Sequence, residues 1–122
     1  MIRSFRDLVV YQKSYALSLE IHKISLGFPR FEQFELANQM RRASKSIAMN
    51  IAEGFSRKLG AKASLADFKR FLIISLGSAD ETRVCLDFCK DLGYITAEQH
   101  ESLENNLIEI IKILLSMHSN WK

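Results

Sequence analysis

Apolar side chains recur every three or four residues along four long segments of the chain, with polar and charged residues between them. This period places the apolar residues of each segment on one face of an α-helix. The four predicted core-facing seams are Val10, Ser14, Leu17, Ile21 and Ile24; Leu36, Met40, Ala43, Ile47 and Ile51; Leu65, Phe68, Leu72, Leu76, Ala79 and Leu86; and Leu103, Leu107, Ile110, Leu114 and Met117. The pattern therefore predicts four amphipathic helices.

Capping signals bound these segments. Three of them open with a hydroxyl residue followed three positions later by an acid or amide, which fits a capping box: Ser4 and Asp7, Ser64 and Asp67, and Thr96 and Gln99. The second helix is predicted over residues 32–58, and Gly27, Gly60 and Gly93 mark three helix ends. Gly77, inside the third helix, predicts a close approach to another helix.

Composition supports an all-α fold. The 122 residues contain one Pro and five Gly, with abundant Leu, Ile, Ala, Lys and Glu, which favours long helices over a turn-rich β architecture. The length suits one domain over residues 1–122. Because short connections make consecutive helices antiparallel, we expect an up-down-up-down four-helix bundle. The first ten residues lack the apolar run of a signal peptide, so a cytoplasmic location is expected.

The predicted helices carry more apolar side chains than the core of a single bundle can bury. Val9, Ala16, Leu19 and Leu26 form a second row on the first helix, and seven of the nine residues at 107–115 are Leu or Ile. A homo-oligomer would cover these side chains. The alternative is a monomeric bundle with an unusually apolar surface.

Positive charge is concentrated in the middle of the chain. The net charge is only +3, yet residues 41–70 contain eight bases and two acids. The bases, which are candidate nucleic-acid contacts, are Arg41, Arg42, Lys45, Arg57, Lys58, Lys62, Lys69 and Arg70. Several surround the connection between the second and third helices, where phosphate would be the natural counter-charge. The alternative is a solvated cationic surface without a partner.

Polar residues also flank the seam of the second helix, while Arg41 and Lys45 are predicted to point outward. On the third helix, Glu81 has uncharged neighbours and would need a partner if buried. We therefore predict an Arg42–Glu81 ion pair that fixes the helix register. The complete predicted structural network is Arg42, Ser46, Asn50, Glu53 and Glu81.

The residues expected of an enzyme are missing. No Glu is followed three residues later by His, as a di-iron bundle requires, and the glycines form no phosphate-binding loop. His22, His100 and His118 are assigned to surface or packing positions. Cys85 and Cys89 have no second Cys pair or nearby His to complete a metal set, so they are predicted to be reduced core residues. We expect no catalytic residue, no metal and no cofactor.

One long segment carries a family resemblance. Residues 39–55, QMRRASKSIAMNIAEGF, closely resemble the signature of the bacterial four-helix-bundle proteins encoded in 23S rRNA intervening sequences. Residues 5–13 (FRDLVVYQK), 28–29 (FP), 77–81 (GSADE) and 92–94 (LGY) are similar to further pieces of that family in the same order. The resemblance implies an antiparallel four-helix bundle that assembles into a ring of five. It also implies kinship with the accessory proteins of diversity-generating retroelements, which bind nucleic acid through basic surfaces.

Two functional hypotheses follow. The first is a non-catalytic, homo-oligomeric accessory protein that recognises structured RNA or an RNA-DNA complex by shape and phosphate contacts. The second is a structural oligomer that scaffolds another protein through its apolar rows, without a nucleic-acid role.

Overall fold

The computed structural model describes residues 2–59 and 64–120 of the chain. Its helices are α1 (Val9–Ser25), α2 (Leu36–Leu59), α3 (Leu65–Asp91) and α4 (Ala97–Asn120), with single 3₁₀ turns at Phe5–Asp7 and Arg30–Phe34. Helix α1 packs against α2 and α4, and α3 also packs against both. Four helices and no strand are present in these two described ranges, so the predicted all-α four-helix bundle is confirmed.

The helix starts follow the capping residues. Ser64 Oγ accepts a hydrogen bond from Asp67 N at 3.1 Å, and Thr96 and Gln99 exchange two such bonds at the start of α4. At Ser4 the predicted capping box encloses only the first 3₁₀ turn, and α1 begins later, at Val9. Each cap satisfies backbone N–H groups that have no partner inside the helix.

The end of α3 depends on one left-handed residue. Gly93 has φ +80°, a conformation that costs little only for glycine. The chain then turns so that Tyr94 N donates to Cys89 O at 2.8 Å, which satisfies a carbonyl of the last turn of α3. The connection from α3 to α4 is therefore short.

The bundle core consists mainly of the predicted seams. Most seam residues are buried, whereas Ile24, Leu36 and Leu76 are partly buried and Leu65 is exposed. Cys85 and Cys89 are free thiols in this core, as predicted. Their burial raises the pKa of Cys85 to about 11 and that of Cys89 to about 12, so both are protonated at neutral pH.

The close helix contact is made by a different glycine from the one predicted. A Cβ on Gly54 would lie 2.9 Å from Phe71 Cβ, whereas a Cβ on Gly77 would meet nothing within 4 Å. The prediction for Gly77 is therefore wrong, since that residue is exposed on α3. Gly54 instead brings α2 against α3, because any larger side chain there would overlap the phenylalanine.

Apolar side chains remain on the outside of the bundle. The second row predicted on α1 is exposed at Val9, Ala16, Leu19 and Leu26. Phe34, at 85%, is the most exposed large apolar residue in the part of the chain that the structure describes. None of the helices, as far as the chain is described, combines the length and hydropathy needed to cross a membrane.

Candidate nucleic-acid interface

An open groove runs between α2 and α3, and we call it the α2–α3 groove. Its polar and charged lining residues are Glu32, Glu35, Asn38, Gln39, Arg42, Lys45, Ser46, Asn50, Glu53, Ser78 and Glu81. Its apolar lining residues are Phe34, Leu36, Ala43, Met49, Phe88 and Leu92. Four carboxylates therefore face two cations, so the groove itself is not a basic surface.

A short chain of hydrogen bonds joins the two helices across this groove. Ser46 Oγ and Ser78 Oγ lie 2.8 Å apart. Asn50 Nδ2 donates to both the carbonyl oxygen and the hydroxyl of Ser46, at 2.8 and 2.9 Å. Deeper in the interface, Ser75 Oγ donates to Ile47 O at 3.0 Å. Within the groove, neutral hydroxyl and amide groups therefore make the described hydrogen bonds between α2 and α3.

The predicted Arg42–Glu81 ion pair is wrong. Both residues line the α2–α3 groove, but among the described residues they do not approach within ion-pair distance. Glu81 is exposed, so its carboxylate stays hydrated and needs no cation. Glu53, also placed in the network, pairs instead with Arg57 at 3.1 Å. Within the predicted network, hydrogen bonds join Ser46 and Asn50.

Arg41 has a structural position that the sequence did not indicate. Its Nη1 donates to Ser25 Oγ at 2.8 Å and to Gln33 Oε1 at 3.1 Å, and its Nη2 donates to Gln33 O at 2.9 Å. These bonds attach the second 3₁₀ turn to α1 and α2. The predicted outward orientation of Arg41 is therefore corrected, because its guanidinium is already occupied by protein acceptors.

Two arginines share one aromatic ring where α2 ends and α3 begins. The guanidinium carbons of Arg57 and Arg70 lie 5.7 and 4.8 Å from the centre of the same Phe71 ring. Arg70 also lies 3.7 Å from Asp67. Both arginine side chains remain more than half exposed. We call Arg57, Arg70 and Phe71 the arginine–phenylalanine cluster.

The other candidate bases have varied surroundings. Arg42 and Lys45 are exposed in the groove and have no ion-pair partner among the described residues. Lys58 and Lys69 are partly buried, and each is adjacent in the sequence to an arginine of the arginine–phenylalanine cluster. Lys62 lies outside the described residues. The predicted set therefore divides into a groove pair and a group near the helix connection.

A cluster of polar side chains around His100 was not predicted from the sequence. His100 Nε2 lies 2.7 Å from Asp87 Oδ1, and Glu104 is one helical turn beyond His100 on α4. Arg83 Nε donates to Glu104 Oε1 at 2.6 Å, and this bond raises the pKa of Arg83 above its ordinary value. The four-residue spacing of His100 and Glu104 was a usable signal, since it places both on one helix face.

Comparisons with known proteins agree on one family. The model of the 23S rRNA-intervening sequence protein family matches residues 6–116. Among solved structures, the chain is similar to a protein with unknown function from the S23 ribosomal protein family of Bacteroides thetaiotaomicron. The two share 33% identity, the match covers 92% of this chain and 100% of that one, and the TM-score is 0.78. No curated protein matches the chain.

Proposed function

The chain belongs to the 23S rRNA-intervening sequence protein family, and we propose that it is a non-catalytic, homo-oligomeric protein that binds nucleic acid. The contacts with phosphate are made by the exposed cations around the end of α2 and the start of α3. The ligand is structured RNA or an RNA-DNA complex, recognised by shape and backbone charge.

The observation that carries this proposal is the arginine–phenylalanine cluster. Phe71 holds two guanidinium groups, one from each helix, beside a single ring. Arginine donates several hydrogen bonds from a planar group and matches phosphate geometry well. A pair positioned in advance loses less side-chain entropy on binding than two free side chains. The partial neutralisation by Glu53 and Asp67 is reversible, because these exposed ion pairs are weak.

Assembly into a ring would multiply this charge. We propose an antiparallel up-down-up-down bundle that forms a homo-oligomer of five subunits. The antiparallel direction is supported by the contacts of Met40 with Cys89, Ile47 with Ser75, and Gly54 with Phe71. Oligomerisation is supported by the exposed apolar side chains. Repeated weak phosphate sites on one particle would then act together through their high effective concentration.

The test is a fluorescence anisotropy titration of a labelled, structured RNA at several salt concentrations. The double variant Arg57→Gln and Arg70→Gln should bind more weakly, with a log–log salt slope smaller by about 1 to 2. The matched control is Lys23→Gln and Lys90→Gln, which removes two exposed charges elsewhere. The absence of binding by the wild-type protein at low salt, or an equal loss in both variants, would contradict the proposal.

A second candidate function has its own support. The α2–α3 groove contains four carboxylates, two cations and several exposed apolar side chains, which suits a polypeptide partner better than a polyanion. The groove would then bind another protein and the cationic cluster would be incidental. Co-purification of a protein that persists after nuclease treatment, together with no RNA affinity, would favour this function.

A further inference from the structure

Three side chains of the types that bind metal ions meet between the last turns of α3 and the start of α4. Asp87 is on α3, and His100 and Glu104 are on α4. Their candidate ligand atoms all lie within 4.8 Å of one another. Imidazole and carboxylate are the donors that Zn²⁺ and related divalent transition metals accept together. The group therefore contains a mixed donor set and not only acids.

An unsatisfied oxygen points independently to a cation. Glu104 Oε2 is buried and has no hydrogen-bond partner, and it is the one such side-chain atom in the described part of the chain. The other oxygen of this carboxylate is held by Arg83 Nε at 2.6 Å. A buried carboxylate oxygen without a partner is unfavourable. A metal ion in the cluster would supply the missing interaction.

The local charge also favours a divalent cation. The carboxylates of Asp80, Asp87 and Glu104 are connected through hydrogen bonds or ion pairs to one guanidinium, that of Arg83, and to one histidine. Three negative groups therefore surround a single permanent positive charge. A bound divalent ion would bring this region close to neutrality, which lowers the mutual repulsion of the carboxylates.

The fold sets this geometry in advance. Gly93 makes the tight turn after α3, and the Thr96–Gln99 capping box fixes the first turn of α4. His100 N donates to Thr96 O at 3.0 Å, so the histidine lies in the first turn of α4. Its Nε2 contacts Asp87 on α3. The two α4 ligands are separated by one helical turn, a spacing common to helical metal sites.

We propose that Asp87, His100 and Glu104 form a binding site for a divalent transition metal ion of the Zn²⁺ class. His100 contributes Nε2, Glu104 contributes Oε2, Asp87 contributes a carboxylate oxygen, and water completes the coordination. Ligand atoms around tetrahedral Zn²⁺ stand about 3.3 Å apart when the bonds are about 2.0–2.1 Å long. The separation of 2.7 Å between His100 Nε2 and Asp87 Oδ1 and the upper limit of 4.8 Å for any pair of ligand atoms lie on either side of this value. Arg83 holds the second Glu104 oxygen as an outer partner.

The site is independent of the proposed nucleic-acid contacts, since it lies at the opposite end of α3 from Arg70. Its effect is to connect α3 to α4, because one ion would bind ligands from both helices. Metal binding only to the folded state would raise the melting temperature. Acidic solution would weaken binding, because protons compete for the imidazole and the carboxylates.

The experiment uses the full chain without an affinity tag. Calorimetric titration with Zn²⁺ should give one ion per chain, and Co²⁺ should give a visible absorption band of a coordinated ion. The variants His100→Ala and Asp87→Asn should each lose about tenfold or more in affinity. Asp87→Asn keeps the fold intact, since that side chain is 62% exposed.

Two control variants make the test specific. His118→Ala removes another α4 histidine, and Glu81→Gln removes an exposed carboxylate from the same helix as Asp87. Both controls should bind Zn²⁺ as the wild type does and show the same rise in melting temperature. Wild-type protein that binds no Zn²⁺, or binding that is unchanged in Asp87→Asn and His100→Ala, would overturn the proposal. RNA binding should be unaffected in all four variants.

Discussion

Gly54 on α2 lies directly against Phe71 on α3, so closely that a single added methyl group would stand 2.9 Å from Phe71 Cβ. The added methyl carbon would also lie 3.4 Å from the ring of Phe68 and 3.4 Å from its carbonyl oxygen. This contact lets the two helices approach at the end that carries Arg57 and Arg70. The absence of a side chain at one position therefore allows the arginine–phenylalanine cluster to form.

Replacement of Gly54 by Ala should destabilise the protein by about 1 to 3 kcal/mol, because the methyl group overpacks the interface with Phe71. Urea denaturation followed by circular dichroism would measure this. The control is Gly77→Ala, where the added methyl group meets nothing and the gain in helix propensity should stabilise by about 0.5 to 1 kcal/mol. Equal and small effects at both sites would contradict the tight α2–α3 contact.

Arg41→Ala should lower the free energy of unfolding by about 1 to 3 kcal/mol, because it removes three hydrogen bonds to Ser25 and Gln33 and leaves their acceptors unpaired. The adjacent Arg42→Ala removes an exposed side chain with no ion pair among the described residues, and should change stability by less than about 0.5 kcal/mol. The comparison of their melting curves separates a structural arginine from a surface one. A larger loss in Arg42→Ala would reverse these assignments.

The two core thiols should be unreactive in the folded protein. Burial raises the pKa of Cys85 to about 11 and of Cys89 to about 12, from an ordinary value of 9.0, and only the thiolate is nucleophilic. At pH 8, the reaction of both cysteines with a thiol reagent should therefore be limited by the rate at which the protein unfolds. After addition of urea, both cysteines should react rapidly. Two fast-reacting thiols in native protein would be the contrary result.

The same thiols predict a pH dependence of stability. Their folded-state pKa values exceed those of the unfolded chain, so the unfolded state loses protons first as the pH rises. The stabilising contribution is complete below about pH 9 and declines as the pH increases toward 11 and 12. The double variant Cys85→Ala and Cys89→Ala should show a shallower loss of melting temperature between pH 9 and 11. An identical slope in both proteins would exclude the thiols as the cause.

The exposed apolar residues of the α2–α3 groove should matter for assembly. Met49→Glu places a charge on a side chain that is 69% exposed in the single subunit, and would be unfavourable inside a subunit contact. Light scattering should report a smaller particle for this variant than for the wild type. Asn105→Glu, which adds the same charge at an exposed position on α4, is the control. A monomeric wild-type protein would remove the basis of this prediction.

The sequence alone determined the elements of the fold. The spacing of residues such as Leu107, Ile110 and Leu114 predicted which face of a helix is buried, because that period is a local property of the helix. The caps at Ser64 and Thr96 were equally predictable, since each depends on groups within three residues. The family was also recognisable from one segment of α2.

Only the tertiary structure decided which side chains meet between helices. Small shifts and rotations of one helix against its neighbour keep Glu81 from pairing with Arg42 and place Ser78 against Ser46. They also direct Arg41 to Ser25 and Gln33 and bring Asp87 to His100. A sequence pattern predicts which face of a helix a residue occupies, and its height along the bundle only to within about one helical turn. A hydrogen bond requires the two atoms to be placed within a few tenths of an ångström. Packing around Gly54 and the turn at Gly93 supply that precision, and with it the arrangement of both candidate sites.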